Sequence, residues 1–326
     1  DESMLPKLLP CVHDVSPDVR LLAIQAFGVI ANAKKGGNKG GNIDCTFVKP
    51  LMDHPHVETA IAANWLTFVT GTSGDRSVAR DKLKKLILSK DQHIALTAAS
   101  SLSATGAQGV ALAREMLERC DDSLVRINLA AYLIWQRQQY AAQVIAEELS
   151  TLSDRLSWQS CGIFTYVAAG SVTHAEAGSE TCETVDLLTR LDLYSMVATC
   201  EYPGLQAILK SYLRDCTWGV SGQAASIMVQ EGMQTLDGLR DLLTDPSPVV
   251  SLQAAFILAF YSQDAEALSV LLQHYPKASR AMKERILYAV ASIGSSDALP
   301  FLVQTLDEPF EVLRIAAARA ILLLKT

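Results

Sequence analysis

Aromatic residues make up only 6% of this 326-residue chain, positive charge is in deficit, and no apolar run is long. Each shortage excludes something. The longest apolar stretches, from Leu252 to Tyr261 and from Ile315 to Leu324, hold about ten residues, against the ~18 that a membrane-spanning helix needs. A formal net charge of -7 is the wrong sign for a protein that binds mainly by neutralising phosphates, so a nucleic-acid partner is disfavoured. The seven cysteines are odd in number, scattered and never in a Cys-x-x-Cys pair. They read as reduced thiols, mostly in a helical core, and hence as an intracellular, cytoplasmic setting. The chain opens on Asp with no charged-then-apolar leader, as expected of a trimmed or mature chain.

What is abundant is hydrophobic residues, 49% of the chain, and they recur with a long period. SPDVRLLAIQAFGVIA, from Ser16 to Ala31, and EPFEVLRIAAARAILLL, from Glu308 to Leu324, share a turn, a hydrophobic residue followed by Arg, and an Ala-rich apolar run. With Val19 as the anchor, similar runs start at Val57, Ile94, Val125, Leu156, Val220, Val250, Met282 and Leu313, with Leu188 as a degenerate member. The later steps are roughly 31 residues, which gives about ten units. Four and eight residues after the anchors come pairs such as Ala23 and Phe27, Ile61 and Trp65, or Ala254 and Leu258, the buried face of a helix. Pro17, Pro248 and Pro309 stand at helix starts, and Asp53, Asp91 and Asp121 suit capping and the helix dipole. A shorter amphipathic segment precedes each of these helices, so each unit reads as a helix pair.

The Asp or Pro turn, the Val-Arg step and the Ala-rich positions resemble HEAT repeats, particularly the short bacterial-type units of phycobilisome lyase-like proteins. The step is present at Val19-Arg20, Val125-Arg126 and Leu313-Arg314 and absent elsewhere, so an Arg ladder between repeats would be broken. The resemblance implies an all-α, armadillo-like helical solenoid, a right-handed superhelix over residues 1–326. One helix pair cannot bury enough apolar surface to offset the entropy of ordering it, so the units must stack into a continuous core. Irregular loops are expected near 34–44, in KKGGNKGGN, and near 169–183, in an acidic Gly- and Ser-containing insertion.

No catalytic constellation emerges, and no cofactor or metal is expected. His54 and His56, with Asp53 and Glu58, sit on a Pro-containing turn and read as capping residues. No His-Glu pair occurs, which separates the chain from the HEAT-type di-iron hydroxylases. The second helix of each pair usually lines the concave side of such arrays, and its polar column carries the candidate partner-binding residues: Asn128, Trp135, Gln159, Tyr166, Gln223, Gln253, Phe260, Arg285, Tyr288 and Arg319. Amides and large aromatics on one stripe suit recognition of a protein or peptide. The expected function is a non-enzymatic scaffold or adaptor. Resemblance alone implies two alternatives, a bilin lyase or chaperone-lyase and a HEAT-like DNA glycosylase, the latter helped by a basic cluster of Lys277, Arg280, Lys283, Arg285, Arg314 and Arg319.

Overall fold

The structure, a computed structural model, describes residues 4–35, 46–170, 182–213, 218–230 and 236–324. Both expected loops fall largely outside them, at 36–45 and 171–181. Lys34 and Lys35 are the last residues of a helix. The chain forms two compact units, Asp1–Cys200 and Glu201–Thr326.

Among the described residues, the first unit stacks five helix pairs and the second four. In the first, α1 (Leu5–Leu8) and a 3-10 turn precede α2 (Pro17–Lys35), and a 3-10 stretch (Thr46–Asp53) precedes α3 (Val57–Thr70). Then come α4 (Ser73–Ile87) with α5 (Gln92–Ser101), α6 (Val110–Arg119) with α7 (Ser123–Trp135), and α8 (Ala141–Thr151) with α9 (Cys182–Ala198). The pairs of the second are α10 (Leu205–Leu213) and α11 (Trp218–Gln230), α12 (Leu236–Asp241) and α13 (Pro248–Ile257), α14 (Ala267–His274) and α15 (Arg280–Ile293), α16 (Leu299–Thr305) and α17 (Glu311–Leu323). Second helices pack on one another in series, which is why their Ala positions, such as Ala62, Ala63, Ala98 and Ala99, are fully buried or nearly so. Gly28 on α2 marks the closest approach, because a Cβ there would lie 2.0 Å from the Trp65 ring on α3.

The Arg of the repeated Val-Arg step has a local job. Arg20 donates from Nη1 to the carbonyls of Asp14 and Val15 at 2.7 and 2.9 Å, Arg126 to that of Leu117 at 2.7 Å, and Arg314 to those of Glu308 and Pro309 at 2.9 and 3.2 Å. These carbonyls end the first helix or form the turn, and lack an intrahelical partner. The guanidinium thus ties the turn within one pair, and Arg126 also pairs with Glu148 of α8 in the next. The helix starts are served as expected at Asp91, which accepts from Ile94 N at 3.2 Å, while at α7 it is Asp122 that accepts from Val125 N, at 2.9 Å. Asp53 instead pairs with Lys82 at 2.5 Å, and His56 stands at the start of α3.

One expected repeat is absent. The segment anchored at Leu156 is an antiparallel β-hairpin, β1 (Leu156–Cys161) and β2 (Phe164–Ala169), with Leu156 opposite Ala169 and Cys161 opposite Phe164. Thr165, Tyr166 and Val167 favour extended backbone, and Gly162 at φ 62° opens a two-residue turn of the kind hairpins prefer. Arg190 of α9, donating to the carbonyls of Leu149, Leu152 and Asp154 at 2.9 to 3.1 Å, does for α8 what Arg126 does for α6. So α9, the degenerate unit around Leu188, is the partner of α8, and the hairpin is an insertion between them. The described cysteines also differ from expectation: of the five, only Cys120 is buried, and Cys161 lies on the hairpin. Replacing Arg190, whose side chain is 11% exposed, by Ala strands three carbonyls. We expect a loss of about 2 to 4 kcal/mol in urea unfolding followed by circular dichroism, with little recovery by Arg190→Lys because an ammonium cannot fork.

Candidate functional site

In the first unit the second helices converge on the hairpin. Gln25 of α2, fully buried, donates Nε2–H to the Cys161 carbonyl at 3.0 Å and accepts from Ile163 N at 2.9 Å. Phe164, also fully buried, meets Trp65 of α3 edge-on at 5.3 Å. Tyr166 places its hydroxyl 3.3 Å from His93 Nδ1 on α5. Asn128 of α7 donates to the Val167 carbonyl and accepts from its N–H, both at 2.8 Å. An amide side chain that makes both bonds imitates a neighbouring strand, and it covers the edge of β2 that faces away from β1. On the other side α9 holds β1, through Asp186 to Leu156 N at 2.8 Å and Asp192 to the Trp158 indole N–H at 3.0 Å.

The electrostatics follow this docking. Burial lifts the Cys161 thiol to about 11, helped by Glu58 and Asp18, and burial also raises the Tyr166 hydroxyl. Burial pushes Glu58 upward as well, but the hydrogen bond from His93 at 3.0 Å and the nearby His56 outweigh it, so its carboxyl lies below the ordinary range.

This arrangement corrects several expectations. Gln159 and Tyr166 lie on strands, not on a helical stripe: Tyr166 is buried against α5, and Gln159 stands exposed on β1. Asn128 is buried beneath the hairpin, and Gln253 is buried in the second unit, so neither amide presents a free surface. Of the residues expected on the helical stripe of the first unit, Asn128 binds an extended segment, and that segment is the chain's own. Phe164 and His93 were not among the candidate residues, whereas Trp65 is fully buried, as its place on the apolar helix face implies. The alternation in Phe-Thr-Tyr-Val after Cys-Gly-Ile was the available signal.

Trp135, the last residue of α7, is 73% exposed. It borders a cleft of about 470 Å³ with Ala131, Trp158, Ile163, Thr165 and Met196, between α7, the outer hairpin face and α9. In the second unit Phe260 and Tyr288 are 40% and 42% exposed, Arg319 is exposed and Gln223 half-buried. Phe260 stacks on buried Phe256 at 6.1 Å, Arg285 lies over the Phe256 ring at 5.1 Å, and Tyr288 donates to Glu284 at 3.1 Å. A second cleft, of about 400 Å³, opens between α13 and α15 beside Arg285. The basic cluster is largely engaged: Lys283 pairs with Glu308 at 2.8 Å, Arg280 lies over Phe310 at 5.0 Å, and Arg314 holds its turn.

Two measurements check the docking. Asn128→Ala leaves the N–H and carbonyl of buried Val167 unpaired, and Gly162→Ala puts a Cβ 2.0 Å from Gln25 Oε1 at a φ that disfavours side chains. Either should raise amide exchange across β2 by roughly 100-fold while leaving α15 unchanged. A carboxyl held below its unfolded value stabilises at higher pH and loses that stabilisation as pH falls through the folded value. Thermal stability of the first unit should therefore drop below about pH 4, and Glu58→Gln should flatten that limb.

Comparison with known proteins follows this geometry. A family model described as HEAT repeats matches residues 236–321, and one described as HEAT repeat matches residues 4–33. No curated protein matches the sequence. Among solved structures, the Escherichia coli protein YibA is 16% identical over 91% of this chain and 97% of its own, with a TM-score of 0.40. Kap121p is 12% identical over 99% of this chain, which spans 38% of the Kap121p chain, with a TM-score of 0.46. An engineered protein is 15% identical over 99% of both chains, with a TM-score of 0.32. Stacked helix pairs, with the matched segments near both ends, make this a chain that carries HEAT repeats.

Proposed function

We propose that the chain is a non-enzymatic scaffold that binds a protein or peptide partner through its first unit, at the cleft bordered by Trp135. One observation carries this reading: a tryptophan 73% exposed beside an apolar cleft of about 470 Å³. Large aromatics are uncommon on free surfaces and dominate the energetics of protein interfaces. Trp158, Ile163 and Met196 supply the apolar contacts around it, while the exposed Ser103 supplies a polar group. The hairpin is what shapes the site, because it fills the groove over α2, α3 and α5 and leaves only its outer face to a partner. Seven scattered cysteines with no Cys-x-x-Cys pair favour a reducing, cytoplasmic setting.

The test is capture of proteins from a native lysate on immobilised wild type and Trp135→Ala. The substitution should reduce capture of the specific partner at least about tenfold with the melting temperature unchanged, because the side chain contributes little to the core. Equal capture by the variant rejects the cleft. A fall of several degrees in melting temperature assigns Trp135 to packing instead.

A further inference from the structure

We infer that the second unit holds a separate site for an acidic, apolar peptide segment, in the cleft between the starts of α13 and α15. It goes beyond the Trp135 cleft and does not depend on it. The cleft of about 400 Å³ is lined on its apolar side by Val249, Leu252 and Met282, and on its polar side by His274, Lys277 and Arg285. No carboxylate lines it, although the chain as a whole carries a net charge of -7. Lys277 is exposed and takes no ion-pair partner among the described residues. The N-termini of α13, at Pro248, and α15, at Arg280, open beside the cleft and add their partial positive charge. Positive potential beside apolar surface suits carboxylates carried next to aliphatic side chains.

The dimensions select a peptide over a small anion. From the Phe256 wall the surface continues to the stacked, exposed Phe260, and from Arg285 to Tyr288 one turn on. Pro248 to Phe260 spans about 18 Å at 1.5 Å per residue, the reach of five or six extended residues. A nucleic-acid backbone fits less well, because Val249, Leu252 and Met282 offer nothing to a sugar-phosphate chain and Glu284 holds Tyr288.

The experiment is fluorescence anisotropy of the full chain with a labelled peptide of alternating glutamate and leucine. Binding should weaken at least about tenfold with Lys277→Glu and with Val249→Asp, two exposed positions whose replacement should leave melting unchanged. It should also weaken at 1 M salt, where the screening length is about 3 Å. A matching glutamine-leucine peptide should bind at least about tenfold more weakly, and a lysine-leucine peptide should not bind. Equal binding of the glutamine peptide, indifference to Lys277→Glu, or displacement by a single-stranded oligonucleotide overturns the proposal. Loss of the peptide on Trp135→Ala also overturns it, by moving the occupant to the other cleft. Retention on Trp135→Ala supports it and leaves the Trp135 reading to its own test.

Discussion

A helix pair of about thirty residues cannot bury both of its apolar faces by itself, and the rest of the structure depends on that constraint. Each second helix must lie against the next, so its inward positions are Ala, and where ring meets backbone even Ala is too large. Gly28 against Trp65 is that limiting case. Stacking also requires each pair to keep one internal angle. In three pairs the Arg that follows the anchor residue, Arg20, Arg126 or Arg314, helps by binding carbonyls left over at the preceding turn. A repulsive or missing group there would be felt by the pair itself before it reached its neighbours.

The insertion between α8 and α9 exploits the same surface. Second helices of the first unit present Gln25, Trp65, His93 and Asn128; the hairpin gives Gln25 and Asn128 two backbone hydrogen bonds each, His93 the Tyr166 hydroxyl, and Trp65 the edge of the Phe164 ring. Buried amides demand partners, and an extended strand with an unpaired edge is well suited to provide them. The surface that a helical solenoid offers to ligands is therefore occupied over α2, α3 and α5. What stays available is the outer face of the hairpin together with the end of α7, where Trp135 stands. The second unit carries no such insertion among its described residues, and its exposed aromatics, Phe260 and Tyr288, remain on the surface.

Charge is distributed with the same economy. Of the six basic residues grouped near the end of the chain, Lys283 and Arg314 bind the turn at Glu308 and Pro309, and Arg280 and Arg285 lie over phenylalanine rings. The apparent basic patch is mostly structural. The positive potential that remains is local, around Lys277 and the starts of α13 and α15.

The sequence by itself determined most of the helix pairs, because a roughly 31-residue recurrence of apolar positions at helical spacing is buried by stacking helix on helix. Val19, Val57, Ile94, Val125, Val250 and Leu313 all lie in second helices, at or near their starts. The sequence also marked Trp135, Phe260 and Tyr288 as large side chains on a helical column. Only tertiary structure decided which of the marked residues face solvent. Asn128 and Tyr166 are polar by composition yet buried, because their partners come from 39 and 73 residues away, a distance that no local pattern encodes. Leu156 fitted the repeat by spacing alone. Its segment became a hairpin because alternate β-favouring side chains around Gly162 could bury one face on the existing helices, a choice settled by contacts far along the chain rather than by the period.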